Sequence, residues 1–292
     1  MNEQILFLID KSVIVLSVFG GVMLVVALTT LVERRVAGFI QDRYGPNRVG
    51  PLGILQPAAD GLKNFLKEET MPAAAAQPYF WLGPVISLAP ALVTFAVVPF
   101  AAPLPIGNHV VEMIVADVPI GILYILALSS LGVYGVVMGG WASNNKFSFL
   151  GGLRASAQMV SYEVALGLSV VVVLMMAGNV TLTEMVWQQQ QLGFWFAFPI
   201  SLAFILFVIS AFAETSRMPF DMPEAESELV GGFHTEYSGM KYAMYPMGEY
   251  SHMITSSALM ATLFFWGWDI PFWTGDDAFL HQGQWISGFT AA

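Results

Sequence analysis

Two glutamates, Glu163 and Glu249, lie inside apolar runs of the sequence that are long enough to cross a membrane. A carboxylate at membrane depth is costly, so such residues often mark functional sites. Glu163 follows Arg154, and Glu249 follows Lys241, by about 12–13 Å along a regular helix, which predicts similar depths. A buried carboxyl group can exchange a proton near neutral pH. We therefore predict proton handling at both positions, the alternative being a glutamate neutralised by the tyrosine beside it in sequence.

A second set of carboxylates follows the fifth apolar run and shares a single cation, Arg217. The set consists of Glu214, Asp221, Glu224, Glu226, Glu228 and Glu236. Such a run is ordinarily a solvated acidic loop. Here the acids alternate with prolines and large apolar residues, and Gly231 and Gly232 allow a tight backbone path, so we expect 214–237 to be folded and partly buried. Closely placed carboxylates titrate as a group, which predicts a proton relay; the alternative is a surface that docks a partner by charge.

Membrane helices must position these carboxylates, because the 292-residue chain is 56% hydrophobic and only 11% charged. Six stretches with little charge are long enough to cross about 30 Å of hydrocarbon. They lie at approximately 12–33, 79–100, 119–141, 155–178, 195–213 and 240–267. We predict an all-α polytopic membrane protein with one membrane domain over 1–292 and at least six transmembrane helices. No basic leader precedes the first run, so we expect it to remain in the mature protein.

The segment 54–69 is amphipathic and too short to span. Its apolar residues share one helical face: Leu55, Ala58, Ala59, Leu62, Phe65 and Leu66. We predict a helix that lies in the membrane interface; the alternative is a helix packed on the chain's own loops.

Small residues form a stripe along the third span, at Ser129, Gly132, Gly135 and Gly139. Such a stripe lets a neighbouring helix approach closely. We predict a packing role for it.

Positive charge predicts the orientation, because cytoplasmic loops collect lysine and arginine. Ten of the eleven cations fall in the first, third and fifth loops, and Lys11 alone lies on the other side. This predicts an N-terminus in the periplasm and a cytoplasmic acidic loop.

The residue types exclude several kinds of redox centre. The chain has no cysteine, so it cannot hold an iron–sulfur cluster, a thiolate metal site or a disulfide. Of its four histidines only His252 lies well inside a predicted span, which also argues against a bis-histidine haem. We expect no metal site.

Three long segments resemble the signature segments of the H-type membrane subunits of bacterial NADH:quinone oxidoreductase, respiratory complex I, which are the counterparts of mitochondrial complex I subunit 1. They are LVERRVAGFIQDRYGPNRVGPLGILQPAADGLKNFLKEE, LSSLGVYGVVMGGWASNNKFSFLGGLRASAQMVSYEVALG and AETSRMPFDMPEAESELVGGFHTEYSGMKYAMYPMGEY. The resemblance implies a membrane subunit that encloses much of a quinone chamber and begins an acidic proton channel. In that family further spanning segments follow the sixth.

The resemblance assigns roles to residues in three groups. Around the quinone entrance and chamber it places Glu33, Arg34, Asp60, Phe233, Tyr245 and Met247. In the buried proton channel it places Glu163, Glu214 and Glu249. In the coupling loop below the chamber it places Asp221, Glu224, Glu226, Glu228 and Glu236.

The resemblance also implies partners. Quinone would be the substrate, while NADH, FMN and iron–sulfur clusters would belong to partner subunits in the peripheral arm. Neighbouring small membrane subunits and the lipid bilayer of the bacterial inner membrane would be further partners, and nucleic acid would not. Two alternatives remain open from the sequence: the corresponding subunit of a membrane-bound hydrogenase, and a stand-alone proton-linked transporter.

Overall fold

The computed structural model describes residues 3–106, 109–268, 278–281 and 284–287. Its α-helices are Glu3–Ile40 (α1), Gln56–Leu66 (α2), Gln77–Thr94 (α3), Gly121–Ala142 (α4), Lys146–Ala177 (α5), Leu182–Leu192 (α6), Ser201–Glu214 (α7), Glu226–Leu229 (α8) and Gly239–Phe264 (α9). Antiparallel pairing joins Leu104–Ile106 (β1) to His109–Val111 (β2), and Ala278–His281 (β3) to Gln284–Ser287 (β4). The fold is helical, as predicted, and these short hairpins lie outside the helical part.

Four of the described helical stretches are long and apolar enough to cross a membrane on their own. They are Leu8–Ile40, Gln77–Val97, Gly121–Ala142 and Lys146–Ala177. The 14-residue α7 is apolar but only about 21 Å long. The 26-residue α9 is long enough, but it carries Lys241, Glu249 and His252. A polytopic membrane protein is therefore confirmed, while the number of six spans stays a prediction.

Several helix ends differ from the predicted ones for local reasons. The first helix, predicted over 12–33, extends beyond both ends. The fourth, predicted from 155, begins at Lys146 because the Asn145 side chain accepts a hydrogen bond from the Phe147 backbone N–H (2.9 Å) and caps it. The fifth, predicted from 195, begins at Ser201, because Pro199 disfavours helix at the residue before it.

The small-residue stripe packs α4 tightly against α3, which confirms its predicted role. A Cβ added at Gly135 would lie 2.5 Å from the Ser87 backbone nitrogen and 2.8 Å from the Gly83 carbonyl oxygen. A Cβ added at Gly139 would collide with the Tyr245 hydroxyl. The backbones of α3 and α4 can approach this closely only because these positions lack a side chain.

Helices α1 and α2 keep most of their apolar surface exposed. In α1 a stripe made of Ile14, Val22, Val26 and Leu31 is buried, with 4–6% of each residue exposed. In α2 no residue is buried, and Leu62, Phe65 and Leu66 are 62%, 74% and 78% exposed. An apolar face of this kind fits the membrane interface, and the interfacial placement of α2 stays a prediction.

The acidic segment after α7 is folded. Leu229, Phe233 and Tyr237 are 3%, 1% and 6% exposed, and they anchor the segment to the helices. Gly232 has a positive φ of 62°, and a Cβ there would collide with the Pro223 carbonyl group. The predicted compact and partly buried conformation is confirmed.

Candidate functional site

A small cavity between α3, α4, α5, α7 and α9 brings together the three glutamates predicted for a proton channel. We call it the carboxylate cavity; Glu163, Glu214, Glu249, Ser129 and Phe233 are among the residues that line it. About 30 Å³ of it is open to a water-sized molecule, which is room for one or two waters. Each glutamate retains some accessible surface. Three acids that are distant in sequence thus share one cavity in which water could connect them.

Hydroxyl groups of α4 contact two of these glutamates. The Ser130 hydroxyl donates a hydrogen bond to Glu163, and the Ser129 side chain interacts with Glu214. Glu163 and Glu214 also lie close enough for their charges to interact. Consecutive serines of one helix therefore hold two acids in place on neighbouring helices.

The inner part of the acidic segment interacts electrostatically with the third glutamate. The charges of Glu224, Arg217 and Asp221 act on Glu249. Burial, together with the charge of Asp221, raises the pKa of Glu224. Burial, together with the charge of Glu226, raises the pKa of Asp221. These two carboxyl groups can bind protons more readily than ordinary surface acids, and they interact with the buried cavity.

The outer part of the acidic segment makes surface contacts instead. Glu226 and Glu228 are exposed, and Glu228 pairs with Arg154 at 2.6 Å. Glu236 accepts a hydrogen bond from the Asn145 side-chain amide at 2.6 Å. An exposed ion pair contributes little stability. The structure therefore divides the predicted set of loop acids into an inner pair and an outer group.

His234 lies against the inner pair. Burial lowers the pKa of His234 to about 4, so its imidazole is neutral near pH 7. The His234 Nδ1 atom lies 3.8 Å from the Glu224 Oε1 atom, and this contact is therefore not an ion pair at that pH.

Two residues predicted for the quinone entrance, Glu33 and Arg34, lie near the C-terminal end of α1 and contact different elements. Arg34 forms an ion pair with Asp60 of α2, which also accepts a hydrogen bond from Gln56 at 2.9 Å. Glu33 instead pairs with Arg217 at 3.3 Å and accepts a hydrogen bond from the Tyr250 hydroxyl. The α1 helix is thereby joined both to α2 and to the acidic segment.

Two of the three remaining chamber candidates, Phe233 and Tyr245, contact each other. Phe233 lines the carboxylate cavity, and its ring meets Tyr245 edge to face at 5.1 Å. Tyr245 is only 1% exposed and packs against glycines of α3 and α4 rather than on the cavity. Met247 is partly buried in α9. Tyr245 therefore packs behind Phe233 and does not line the carboxylate cavity.

Sequence reasoning missed a clasp between the end of α2 and the start of α9. Lys241 is 5% exposed, pairs with Glu69 at 2.8 Å, and sits 3.2 Å from the centre of the Trp81 ring. The Ser238 hydroxyl accepts a hydrogen bond from the Thr70 backbone N–H at 2.8 Å. In the sequence the lysine is only an orientation signal, and nothing local pairs it with Glu69. The clasp fixes α2 relative to α9.

Sequence reasoning also missed that His252 lines the carboxylate cavity together with the three glutamates. Its place within a predicted span was the available signal. Among the residues that the structure describes, no group of three histidine or acidic side chains is arranged to hold a metal ion.

The pattern of the family described as NADH dehydrogenase matches residues 13–290. An H subunit of the NADH-quinone oxidoreductase of Cytophaga hutchinsonii is 48% identical over 272 residues, covering 93% of this chain and 79% of that protein. The H subunit of Flavobacterium psychrophilum is 49% identical over 265 residues, covering 91% and 77%. An H subunit of Geobacter sulfurreducens is 48% identical over 283 residues, covering 93% and 79%. This chain belongs to the NADH dehydrogenase family, as a relative of the H subunits of NADH-quinone oxidoreductases.

Proposed function

We propose that the chain is the membrane subunit of an NADH:quinone oxidoreductase that forms the quinone chamber and the start of the proton channel. The names of its relatives favour this function over a hydrogenase subunit or a stand-alone transporter. One observation carries the proposal: Glu163, Glu214 and Glu249 converge on a single cavity, and the inner loop acids act on Glu249.

The proposed path for protons begins at Asp221 and Glu224. Reduction of a quinone near the loop adds negative charge, which raises the pKa of neighbouring carboxylates and favours proton uptake. Because these acids interact, the response belongs to the set rather than to one residue. Glu249 is the next group along, and the carboxylate cavity passes the proton to Glu214 and Glu163.

The entrance for quinone would lie beside α2. Its exposed apolar face offers a lipid-soluble molecule a route from the bilayer, and the Arg34–Asp60 pair fixes α2 to α1. Glu33 would connect this entrance to the acidic segment through Arg217.

The complete reaction requires partner subunits. This chain offers no cysteine for an iron–sulfur cluster, so NADH, FMN and the clusters would be held by peripheral-arm subunits that also complete the quinone site. Neighbouring small membrane subunits would continue the proton path. We place the chain in the bacterial inner membrane with its N-terminus in the periplasm, which the one-sided distribution of its cations supports.

Proton pumping by Glu163→Gln and Glu249→Gln variants of the assembled complex tests the proposal. Each change removes a titratable group while keeping its size, so protons moved per electron should fall strongly in reconstituted vesicles. Glu68→Gln is the matched control, because Glu68 is an exposed acid away from the cavity. Normal pumping by both cavity variants would refute the proposed path.

A further inference from the structure

A second cavity lies beside the carboxylate cavity, toward the C-terminal ends of α3 and α9. About 20 Å³ of it is open to a water-sized molecule, which is room for about one water. Its lining reaches Thr94, the last residue of α3, and Leu259 near the end of α9. We call it the outer cavity. Leu259 lies seven residues beyond His252, the last α9 residue of the carboxylate cavity, so the lining of the outer cavity extends about 10 Å farther along this helix.

Three residues line both cavities and therefore form the wall between them: Ser129, Glu214 and His252. The other titratable residues on the two linings are Glu163 and Glu249, and neither lining contains lysine or arginine. Among the described residues, His252 is therefore the basic side chain on the wall between the two cavities. The other titratable side chains of the two linings are three glutamates.

Two threonine hydroxyl groups that line the outer cavity donate their hydrogens to carbonyl groups of their own helices. Thr94 donates to the Pro90 carbonyl at 2.6 Å, and Thr255 donates to the Ser251 carbonyl at 3.0 Å. Each hydroxyl keeps lone pairs that can face the cavity. These two oxygens can accept hydrogen bonds from a water or from a protonated imidazole, which supplies two donors.

The imidazole of His252 is free to take part. No hydrogen bond joins it to another described residue. Its Nε2 atom would lie 3.2 Å from a Cβ added at Gly132 of α4, so the missing side chain at Gly132 leaves the space that the ring occupies. A histidine that only filled the core would be expected to satisfy a ring nitrogen with a protein partner.

We propose that His252 carries a proton one step beyond the carboxylates, from the carboxylate cavity to the outer cavity. In this step the Glu214 carboxyl group gives its proton to the imidazole, directly or through one water, leaving a carboxylate and an imidazolium. Ile125, Phe207 and Leu259 contribute apolar side chains to the lining of the outer cavity. The transfer thus moves the proton from the shared wall into the outer cavity, and pumping depends on this step. The inference rests on the proposed proton-transfer function.

The test uses His252→Asn in the assembled complex, which keeps a polar side chain and removes the titration. Pumping should slow by on the order of a hundredfold, the low end of what losing a positioned proton-transfer group does. His252→Glu restores a titratable group and should recover part of the rate. Gly132→Ala should displace the ring and slow pumping in the same direction. Normal pumping by His252→Asn overturns the inference.

Infrared spectroscopy can detect protonation of His252 directly. A histidine with only a structural role would give no redox-induced imidazole bands. Redox-induced difference spectra of the wild-type complex should contain imidazole bands that shift with ¹⁵N-histidine and disappear in His252→Asn. If the asparagine variant does not assemble, the wild-type spectra still decide, because the absence of any imidazole band refutes protonation of His252.

Comparison with Glu163→Gln separates this inference from the proposed function. Loss of pumping in Glu163→Gln with normal pumping in His252→Asn removes the role of His252 alone. Normal pumping in both removes the proposed proton path as well.

Discussion

Gly135→Ala tests whether the contact between α3 and α4 sets the dimensions of the carboxylate cavity. The new methyl group would lie 2.5 Å from the Ser87 backbone nitrogen, whereas ordinary contacts begin at 3.4 Å. The shortfall of about 0.9 Å falls on backbone atoms, which cannot rotate away, so the two helices must separate. Overpacking of this kind costs about 1–3 kcal/mol in free energy of unfolding. Since Ser87 also lines the cavity, we expect slower proton pumping as well.

Gly21→Ala is the matched control, because no atom lies within 4 Å of a Cβ added there. Both changes replace a helical glycine by alanine, so the gain in helix propensity of about 0.5–1 kcal/mol cancels between them. The free energy of unfolding, measured by SDS titration in mixed micelles, should be lower for Gly135→Ala than for Gly21→Ala. Equal stabilities and equal pumping would show that α3 and α4 do not fix the cavity.

Three further predictions concern the loop and the entrance. Burial lowers the pKa of His234 from 6.5 to about 4, so its contribution to the stability of the folded loop is complete above pH 6.5 and is lost as the pH falls toward 4. The loss in free energy of unfolding is at most about 3 kcal/mol. Limited proteolysis of the loop between pH 7 and pH 4 should show this loss in the wild type and not in His234→Gln. Leu62→Glu places a charge on the exposed face of α2, so activity should fall more with long-tailed quinones than with short soluble ones, and equal losses would count against an entrance there. Replacing Asp221 and Glu224 by asparagine and glutamine should alter the pH dependence of quinone reduction, because burial raises the pKa of both carboxyl groups. Glu228→Gln should leave it unchanged, because Glu228 is exposed and pairs with Arg154; the opposite pattern would reassign the relay to the outer group.

The sequence was sufficient for the helical, membrane-spanning fold, because each span must satisfy its own backbone in lipid and apolar runs therefore locate helices. The spacing from Arg154 and Lys241 predicts similar depths for Glu163 and Glu249, and in the structure both residues line one cavity. Helix ends were less predictable, because α5 begins where Asn145 caps it, and a cap depends on side-chain geometry.

Contacts between distant segments could not be predicted from the sequence. The links of Glu33 with Arg217, and of Lys241 with Glu69, join residues far apart in the chain. The family resemblance groups Tyr245 with the chamber, and its burial against glycines of α3 and α4 is a contact that the sequence does not reveal. The division of the loop acids into an inner pair and an outer group also could not be predicted. Both groups consist of acidic residues, and only the path of the folded backbone decides which of them are buried.

The contacts of Glu33 and Arg34 limit how α1 can vary in length. The two side chains leave the helix about 100° apart, one toward Arg217 and the other toward Asp60, while the stripe from Ile14 to Leu31 fixes the rotation of the same rigid helix. Inserting or deleting one residue between Leu31 and Glu33 would rotate both charges away from their partners together. Substitutions should therefore be tolerated on the lipid-facing side of α1, whereas a change of length by a single residue should not.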